Sequence, residues 1–174
     1  MAIAISFNDY LSSKNINYEL IQHRHTCSSL DSSCTAHLPT SEVAKAVILQ
    51  SSAGDYLMAT LSSGHRLSIE QVNKLMGEEY HLVNEVRLGE LFPDCQQGAI
   101  PSIGEAYQIK MLVDDSLLNT KNVFIEAGDH QHLVKISHQQ YIDMLSEQPH
   151  GNICGAVIGR PKMAEHLSSE WRML

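Results

Sequence analysis

The sequence predicts one α/β domain of the α+β type, with a mixed, barrel-like β-sheet flanked by helices. Its 174 residues, 43% of them hydrophobic, are enough for one ordinary domain with a sizeable core. Short apolar runs of strand character lie between turn residues, and helical segments with capping residues interrupt them. These elements do not follow a regular βαβ alternation, so a mixed sheet is favoured over a purely parallel one.

A β-hairpin is expected in the first half of the chain. Residues 43–49 form a compact apolar run, residues 51–55 form a turn, and residues 56–61 are the returning strand. Residues 18–21 alternate in strand fashion before this hairpin. Three more strands are predicted at residues 109–113, 123–127 and 133–136.

Four helices are predicted from residues that can cap a helix N-terminus: Ser6, Ser68, Asn84 and Ser137. They run to about residues 14–15, 76, 91 and 145. The Ser/Thr-rich residues 26–41 suit a loop or a short helix. The whole chain, 1–174, is expected to be one domain, with its core at about 15–145. The C-terminal extension, about 146–174, contains an apolar stretch at 153–158 and a terminal helix after Pro161.

The charge limits the possible partners. Twelve Lys and Arg residues against twenty Asp and Glu residues give a formal net charge of −8. Broad nucleic-acid binding requires the opposite balance, so no DNA partner is expected, and an RNA footprint should be small or supplied through a second protein. No apolar run is long enough for a membrane helix, and the start does not resemble a signal peptide, so a cytoplasmic location is the default. The four widely spaced cysteines are expected to be free thiols.

Lys45 stands alone within the apolar run at 43–49. Burying an ammonium group is costly unless it is paired or lines a polar cavity. One interpretation is an ordinary lysine whose amine reaches water along its own alkyl chain. The other is a lysine at a cleft that contacts a carbonyl, carboxylate or phosphate oxygen. The residues alone leave both open.

A second candidate feature is the loop at 98–104, which begins with Gly98, Ala99, Ile100 and Pro101 and ends at Gly104. Glycine lets the backbone approach a ligand closely and direct amide groups at it. Loops of this composition also occur simply where the chain turns.

The segment at 127–132 contains Gly128 and His130 between two predicted strands. The pairs His23/His25 and His130/His132 suggest a metal site, but no cysteine or carboxylate cluster stands at a zinc spacing beside them, so no metal is expected. His130 could be a hydrogen-bonding group at a pocket rim or a solvent-facing turn residue. Cys95 is a possible nucleophile without an identifiable base, and an incidental thiol is favoured.

These features occur in one order that resembles the YbaK-like aminoacyl-tRNA deacylases, which are related to the editing insertion domain of bacterial prolyl-tRNA synthetase. The resemblance covers about residues 15–145. It is carried by 43–47 around Lys45, by 91–95 leading into the 98–104 loop, by 113–115, and by 127–130. Two departures are notable: many members have a serine before the loop proline, where this chain has Ile100, and Ala46 replaces an often polar residue.

The resemblance implies a YbaK-like fold and a trans-editing hydrolase without a cofactor. Lys45 matches the family's lysine, Gly98 to Pro101 match its glycine-rich loop, and Gly128 and His130 match the turn used for pocket recognition. The expected partners are the acceptor end of mischarged tRNA and a synthetase or elongation factor. The expected chemistry is ester hydrolysis by positioning and oxyanion stabilisation, without a protein nucleophile. The alternative is a binding module that holds an aminoacyl-tRNA end, amino acid or nucleotide without turnover.

Overall fold

The central hairpin consists of β2 (Val43–Ser51) and β3 (Tyr56–Ser62), which pair antiparallel from Ala44–Ser62 to Gln50–Tyr56. The computed structural model describes residues 3–26 and 28–157. Cys27, the terminal helix after Pro161 and the end of the apolar stretch at 153–158 lie outside those residues.

The other strands are β1 (Glu19–Gln22), β4 (His65–Leu67), β5 (Tyr80–Leu82), β6 (Lys110–Asp114), β7 (Asn122–Glu126), β8 (His132–Ser137), β9 (His150–Gly151) and β10 (Cys154–Val157). Around the hairpin they form a mixed sheet in the order β1-β8-β7-β2-β3-β6-β9, which confirms the predicted fold class. The β7 strand runs parallel to β2 and β6 runs parallel to β3, whereas β1 and β5 pair antiparallel with their neighbours. The β10 strand pairs with β4 in a separate two-stranded sheet.

Five helices flank the strands: α1 (Ile5–Ser13), α2 (Ser29–Thr35), α3 (Ile69–Met76), α4 (Glu85–Leu91) and α5 (His138–Leu145). Successive residues of β2 face opposite sides of the sheet. Ala44, Ala46 and Ile48 pack into the larger core, which also contains residues of α1 and α5. Val43 and Leu49 pack on the other side. There Val43 meets the residues that follow α2, and Leu49 meets α3.

Three of the four predicted caps are confirmed. The side chains of Ser68, Asn84 and Ser137 each accept a hydrogen bond from the backbone N–H three residues later. The Ser6 cap is wrong, since α1 begins at Ile5 and its N-cap makes no side-chain bond. Instead, the Ser6 amide donates to Asp94 Oδ2 at 2.8 Å, so a distant carboxylate caps this helix.

The described part of the C-terminal extension joins this framework. The β9 strand pairs with β6, and the Ile153 amide donates to the buried Asp114 Oδ2 at 2.9 Å. None of the described helices has the length and apolar character needed to cross a bilayer.

Gly128 holds the N-terminal segment against the sheet. Its φ is +115°, in a region that favours glycine, and an added Cβ would lie 2.8 Å from the Cβ of Ala4. The Ala4 amide donates to the neighbouring Ala127 carbonyl at 2.7 Å. The glycine therefore permits both an unusual backbone conformation and a close contact.

We expect Gly128→Ala to lower the free energy of unfolding by about 3 kcal/mol, from backbone strain and overpacking together. Gly54→Ala is the matched control, because Gly54 also has a positive φ of +97° but nothing within 4 Å of the added Cβ. That control should cost only the strain, about 1 kcal/mol. Urea denaturation measures both, and equal losses would contradict the contact with Ala4.

Candidate functional site

The outer edge of β2 has two different partners with a gap between them. The parallel strand β7 pairs with β2 only at Val43 and Ala44, whereas the antiparallel strand β5 pairs only at Leu49 to Ser51. Among the described residues, no strand pairs with β2 at residues 45–48 on this edge, which we call the edge gap. On this edge, the Ile48 carbonyl accepts a hydrogen bond from the Val83 amide at 3.1 Å.

A cavity of about 190 Å³ opens at the edge gap. We call it the gap cavity, and its lining is mostly apolar: Ser29, Ala46, Val47, Ile48, Leu82, Val83, Leu88, Gly98 and Ile100. Pockets for complete drug-sized ligands are larger, about 300–1,000 Å³. The gap cavity therefore fits a small group, such as an amino-acid side chain with its carbonyl.

The glycine-rich loop forms one wall of this cavity and is fixed at both ends. His130 Nε2 donates to the Gln97 carbonyl at 2.6 Å, and Thr60 Oγ1 donates to the Ser102 carbonyl at 3.2 Å. Gly98 itself has a φ of +89°. Within the described residues, the amides of Gly98 and Ile100 donate to no other group. Two residues of the cavity wall, in the described part of the chain, thus have amides without an acceptor, and the loop that carries them is held in place.

The structure brings together only some of the residues predicted from the sequence. Gly98, Ile100 and Ala46 line the gap cavity, and the adjoining Ala99 and Pro101 are buried within the same loop. His130 lies behind the loop, buried and tilted against His25 with ring centroids 5.4 Å apart. It therefore positions the loop through Gln97 and does not line the cavity.

Gly128 lies elsewhere. It lines a separate groove with residues 3–5 and 93–96, and its carbonyl accepts from the Gln96 amide at 2.8 Å. The structure does not bring it to the gap cavity.

The ammonium group of Lys45 is half-buried and turned away from the cavity lining. It donates to the carbonyls of His65 and Ser63, at 2.5 and 3.5 Å. Burial lowers the pKa of Lys45, as does the nearby Arg66, while the Cys154 thiol opposes the shift. The Lys45 side chain projects from the face of the sheet on which the residues that follow α2 pack. Ser29, the first residue of α2, lies on that same face and lines the cavity.

Cys95 is not an activated nucleophile. Burial raises the pKa of its thiol to about 12, and its Sγ lies 3.1 Å from the hydroxyl of Tyr107. Cys34, Cys95 and Cys154 are free thiols, as predicted. Within the described residues, no three His, Cys, Asp or Glu side chains are arranged to hold a metal ion.

Glu126 is a buried acid that the sequence analysis missed. It ends β7 with 1% of its surface exposed, and its Oε1 accepts a hydrogen bond from Ser32 Oγ at 2.6 Å. Burial raises its pKa to about 7; nearby Asp129 adds to this, and hydrogen bonds from Ser32 and Ser29 oppose it. The sequence did contain a signal for this residue, because Glu126 is a single carboxylate in the apolar strand predicted at 123–127. Lys45 was identified in the same way, as a single charge in an apolar run.

The pKa of Glu126 in the folded protein lies above the ordinary value of 4.5. The protonated side chain therefore contributes fully to stability below about pH 4.5, and this contribution is lost as the pH rises through about 7. Glu126→Gln removes this titration. We expect the stability of the variant relative to the wild type to increase by about 2 kcal/mol between pH 5 and pH 8. Denaturation at both pH values measures it. The exposed Glu19→Gln is the control, and a pH-independent difference for Glu126→Gln would contradict the assignment.

Comparison with known proteins agrees with this architecture. A hypothetical protein of known structure is similar with a TM-score of 0.75 at 18% identity, covering 86% of this chain and 99% of its own. A candidate trans-editing enzyme for prolyl-tRNA synthetase has a TM-score of 0.75 at 14% identity, covering 88% and 97%. A candidate signal transduction protein from Marinobacter aquaeolei has a TM-score of 0.68 at 14% identity, covering 87% of this chain but 31% of its own.

At these identities the structural likeness shows the fold alone, and no curated protein matches the chain. The family model described as an aminoacyl-tRNA editing domain matches residues 23–144, well over half of the sequence. The chain therefore belongs to the aminoacyl-tRNA editing domain family.

Proposed function

We propose that this protein is a trans-editing hydrolase that cleaves the ester bond of misacylated aminoacyl-tRNA. The observation that carries the proposal is the pairing of a small apolar cavity with the unengaged amides of Gly98 and Ile100 on its wall. The misattached amino acid occupies the gap cavity. Its ester carbonyl oxygen accepts from the loop amides, which stabilise the negative charge that develops there during attack.

The attacking group is a water molecule, which adds to the ester carbonyl, gives up a proton and expels the ribose oxygen, which takes up a proton. The adjacent hydroxyl of the terminal ribose can orient that water. An aminoacyl ester is already labile, so correct positioning supplies much of the acceleration. A thiol nucleophile is not needed, in agreement with the elevated pKa of Cys95. His130 and Thr60 act by holding the loop through the carbonyls of Gln97 and Ser102.

The cavity walls favour small amino acids. Ile48, Val83 and Leu88 restrict its depth, and each additional methylene in a hydrophobic pocket changes discrimination by about 1–3 kcal/mol. Ala46 contributes only a methyl group to this lining, at a position where a polar side chain would select a hydroxyl-bearing substrate.

The chain's net charge of −8 makes a broad grip on tRNA unfavourable. We therefore propose that contacts are confined to the acceptor end and that a synthetase or elongation factor delivers the RNA. Lys45 is the cation proposed to meet a terminal phosphate, ribose or ester oxygen. To do so, its amine exchanges the carbonyls of His65 and Ser63 for the substrate.

We expect Lys45→Ala to lower kcat/KM for misacylated tRNA about 10- to 150-fold while the protein remains folded, because a charge-assisted contact to the substrate is worth roughly 1.5–3 kcal/mol. Lys135→Ala, which removes a surface lysine paired with Glu19, is the control and should keep the wild-type rate. The assay uses a panel of mischarged tRNAs, with circular dichroism at the assay temperature to measure the folded fraction.

Different results separate the possible roles. Folded Lys45→Ala with the wild-type rate would exclude a catalytic role. A loss of activity that equals the unfolded fraction would show that Lys45 acts structurally, by linking β2 to the β3–β4 turn. If the wild type binds but hydrolyses no member of the panel, the protein is a binding module and the hydrolase proposal fails.

Cys95→Ser tests the remaining nucleophile. We expect unchanged turnover, because the buried thiol is neutral at physiological pH and does not line the gap cavity. A loss of activity in this variant, reproduced by alkylation of the wild type and of Cys34→Ser, which removes the exposed thiol, would instead support a thiol hydrolase.

A further inference from the structure

The two carboxylate oxygens of Glu126 differ in their hydrogen bonding. Oε1 accepts from Ser32 Oγ, but Oε2 is buried and has no hydrogen-bond partner among the described residues. Leaving a buried acceptor without a donor destabilises the folded state, and more so when the acceptor is charged. A retained cost of this kind is expected where a ligand supplies the missing donor.

The position of Glu126 connects it with the gap cavity. Pairing between β2 and β7 ends at Ala44 and Ile125, so Glu126 is the first β7 residue beside the edge gap. Ser29 lies close enough to the Glu126 carboxylate to lower its pKa, and Ser29 also lines the cavity. Ser29 thus lies between the acid, which is behind the lining, and the space where the substrate is proposed to bind.

No cation of the described chain neutralises this acid. Lys45 stands on the neighbouring strand, but its ammonium donates to the carbonyls of Ser63 and His65. The charged group that acts on Glu126 is Asp129, which disfavours a second negative charge nearby. The remaining groups that face the carboxylate are the hydroxyls of Ser29 and Ser32 on α2. The site therefore lacks a positive charge and has a free acceptor.

We propose that Glu126, with the Ser29 hydroxyl, recognises the α-ammonium group of the aminoacyl moiety in the gap cavity. This inference rests on the proposed function, because it assumes that an aminoacyl ester enters that cavity. Every aminoacyl-tRNA carries this ammonium group beside its ester, whereas hydroxyacyl, formylated and peptidyl esters do not. Glu126 would accordingly select free aminoacyl groups and hold the ester carbonyl towards the loop amides.

The test is a binding experiment that does not depend on turnover. The probe is 3′-deoxy-3′-alanylamino-adenosine, a stable amide analogue of the tRNA end, compared with the lactyl analogue, in which a hydroxyl replaces the ammonium. Calorimetric titration at pH 8 should show the wild type preferring the alanyl analogue by about 10- to 100-fold, as expected for a charged hydrogen bond. Glu126→Gln should reduce the ratio to about one.

Glutamine keeps the shape and the acceptor for Ser32, so the variant is expected to fold. The matched control is Glu19→Gln, the same change at an exposed position on β1, which should retain the wild-type ratio. Ser29→Ala is the second variant and should lower the ratio in part. In the wild type, the preference should increase as the pH rises through about 7, where the carboxylate becomes charged, and should fall again above about 8, where the α-ammonium group of the analogue loses its proton.

A merely structural Glu126 would weaken both analogues equally and leave the ratio unchanged, which would overturn the inference. It also fails if the wild type shows no preference or binds neither analogue. Hydrolysis of misacylated tRNA is scored separately. A wild type that prefers the alanyl analogue but hydrolyses no tRNA would support the Glu126 assignment and refute only the hydrolase.

Discussion

The candidate site depends on how one edge of β2 is shared. A strand in the middle of a sheet normally has a continuous neighbour on each edge, and its backbone groups are then all used. Here β7 arrives parallel and pairs at Val43 and Ala44, and β5 arrives antiparallel and pairs from Leu49. A parallel and an antiparallel strand cannot continue each other in one register. Among the described residues, the β2 backbone at residues 45–48 therefore has no strand partner on this edge.

The glycine-rich loop is held at this opening from two independent directions. Thr60, on β3, donates a hydrogen bond to the carbonyl of Ser102. His130, in the β7–β8 turn, donates one to the carbonyl of Gln97. Neither residue needs to touch a substrate to matter. A wall fixed at both ends holds its amides in place before the substrate arrives, which is the condition for effective electrostatic stabilisation.

The sequence predicted most of the regular structure because the responsible forces are local. The central hairpin follows from apolar runs around a turn, and Ser68, Asn84 and Ser137 cap helices through a bond three residues away. The Ser6 cap was wrong because Asp94, far along the chain, satisfies the same amide. The short strands β4, β5, β9 and β10 were missed, since two to four residues carry little periodicity and depend on distant partners.

The site was predicted only in part for the same reason. The composition of the 98–104 loop is visible in the sequence and predicted a close approach of the backbone to a ligand, and the structure has Gly98 and Ile100 of that loop in the cavity wall. Which face of β2 carries Lys45 also follows from alternation once Ala46 is placed in the cavity. What no local pattern contains is the edge gap, because it results from two strands that stop short of each other, one about 30 residues and one about 80 residues away along the chain.

Lys45 and Glu126 show why burial alone does not assign a role to a charged residue. Both are single charges in apolar strands, they stand on neighbouring strands, and burial shifts the pKa of each towards its neutral form. Two opposite charges so placed would ordinarily pair and cancel much of that cost. Instead, Lys45 turns to two backbone carbonyls and Glu126 to two serines, one of which lines the cavity. Because the two charges do not pair with each other, each can exchange its neutral partners for a group of the substrate. Lys45 can then contact a substrate oxygen, and Glu126 can contact an ammonium group.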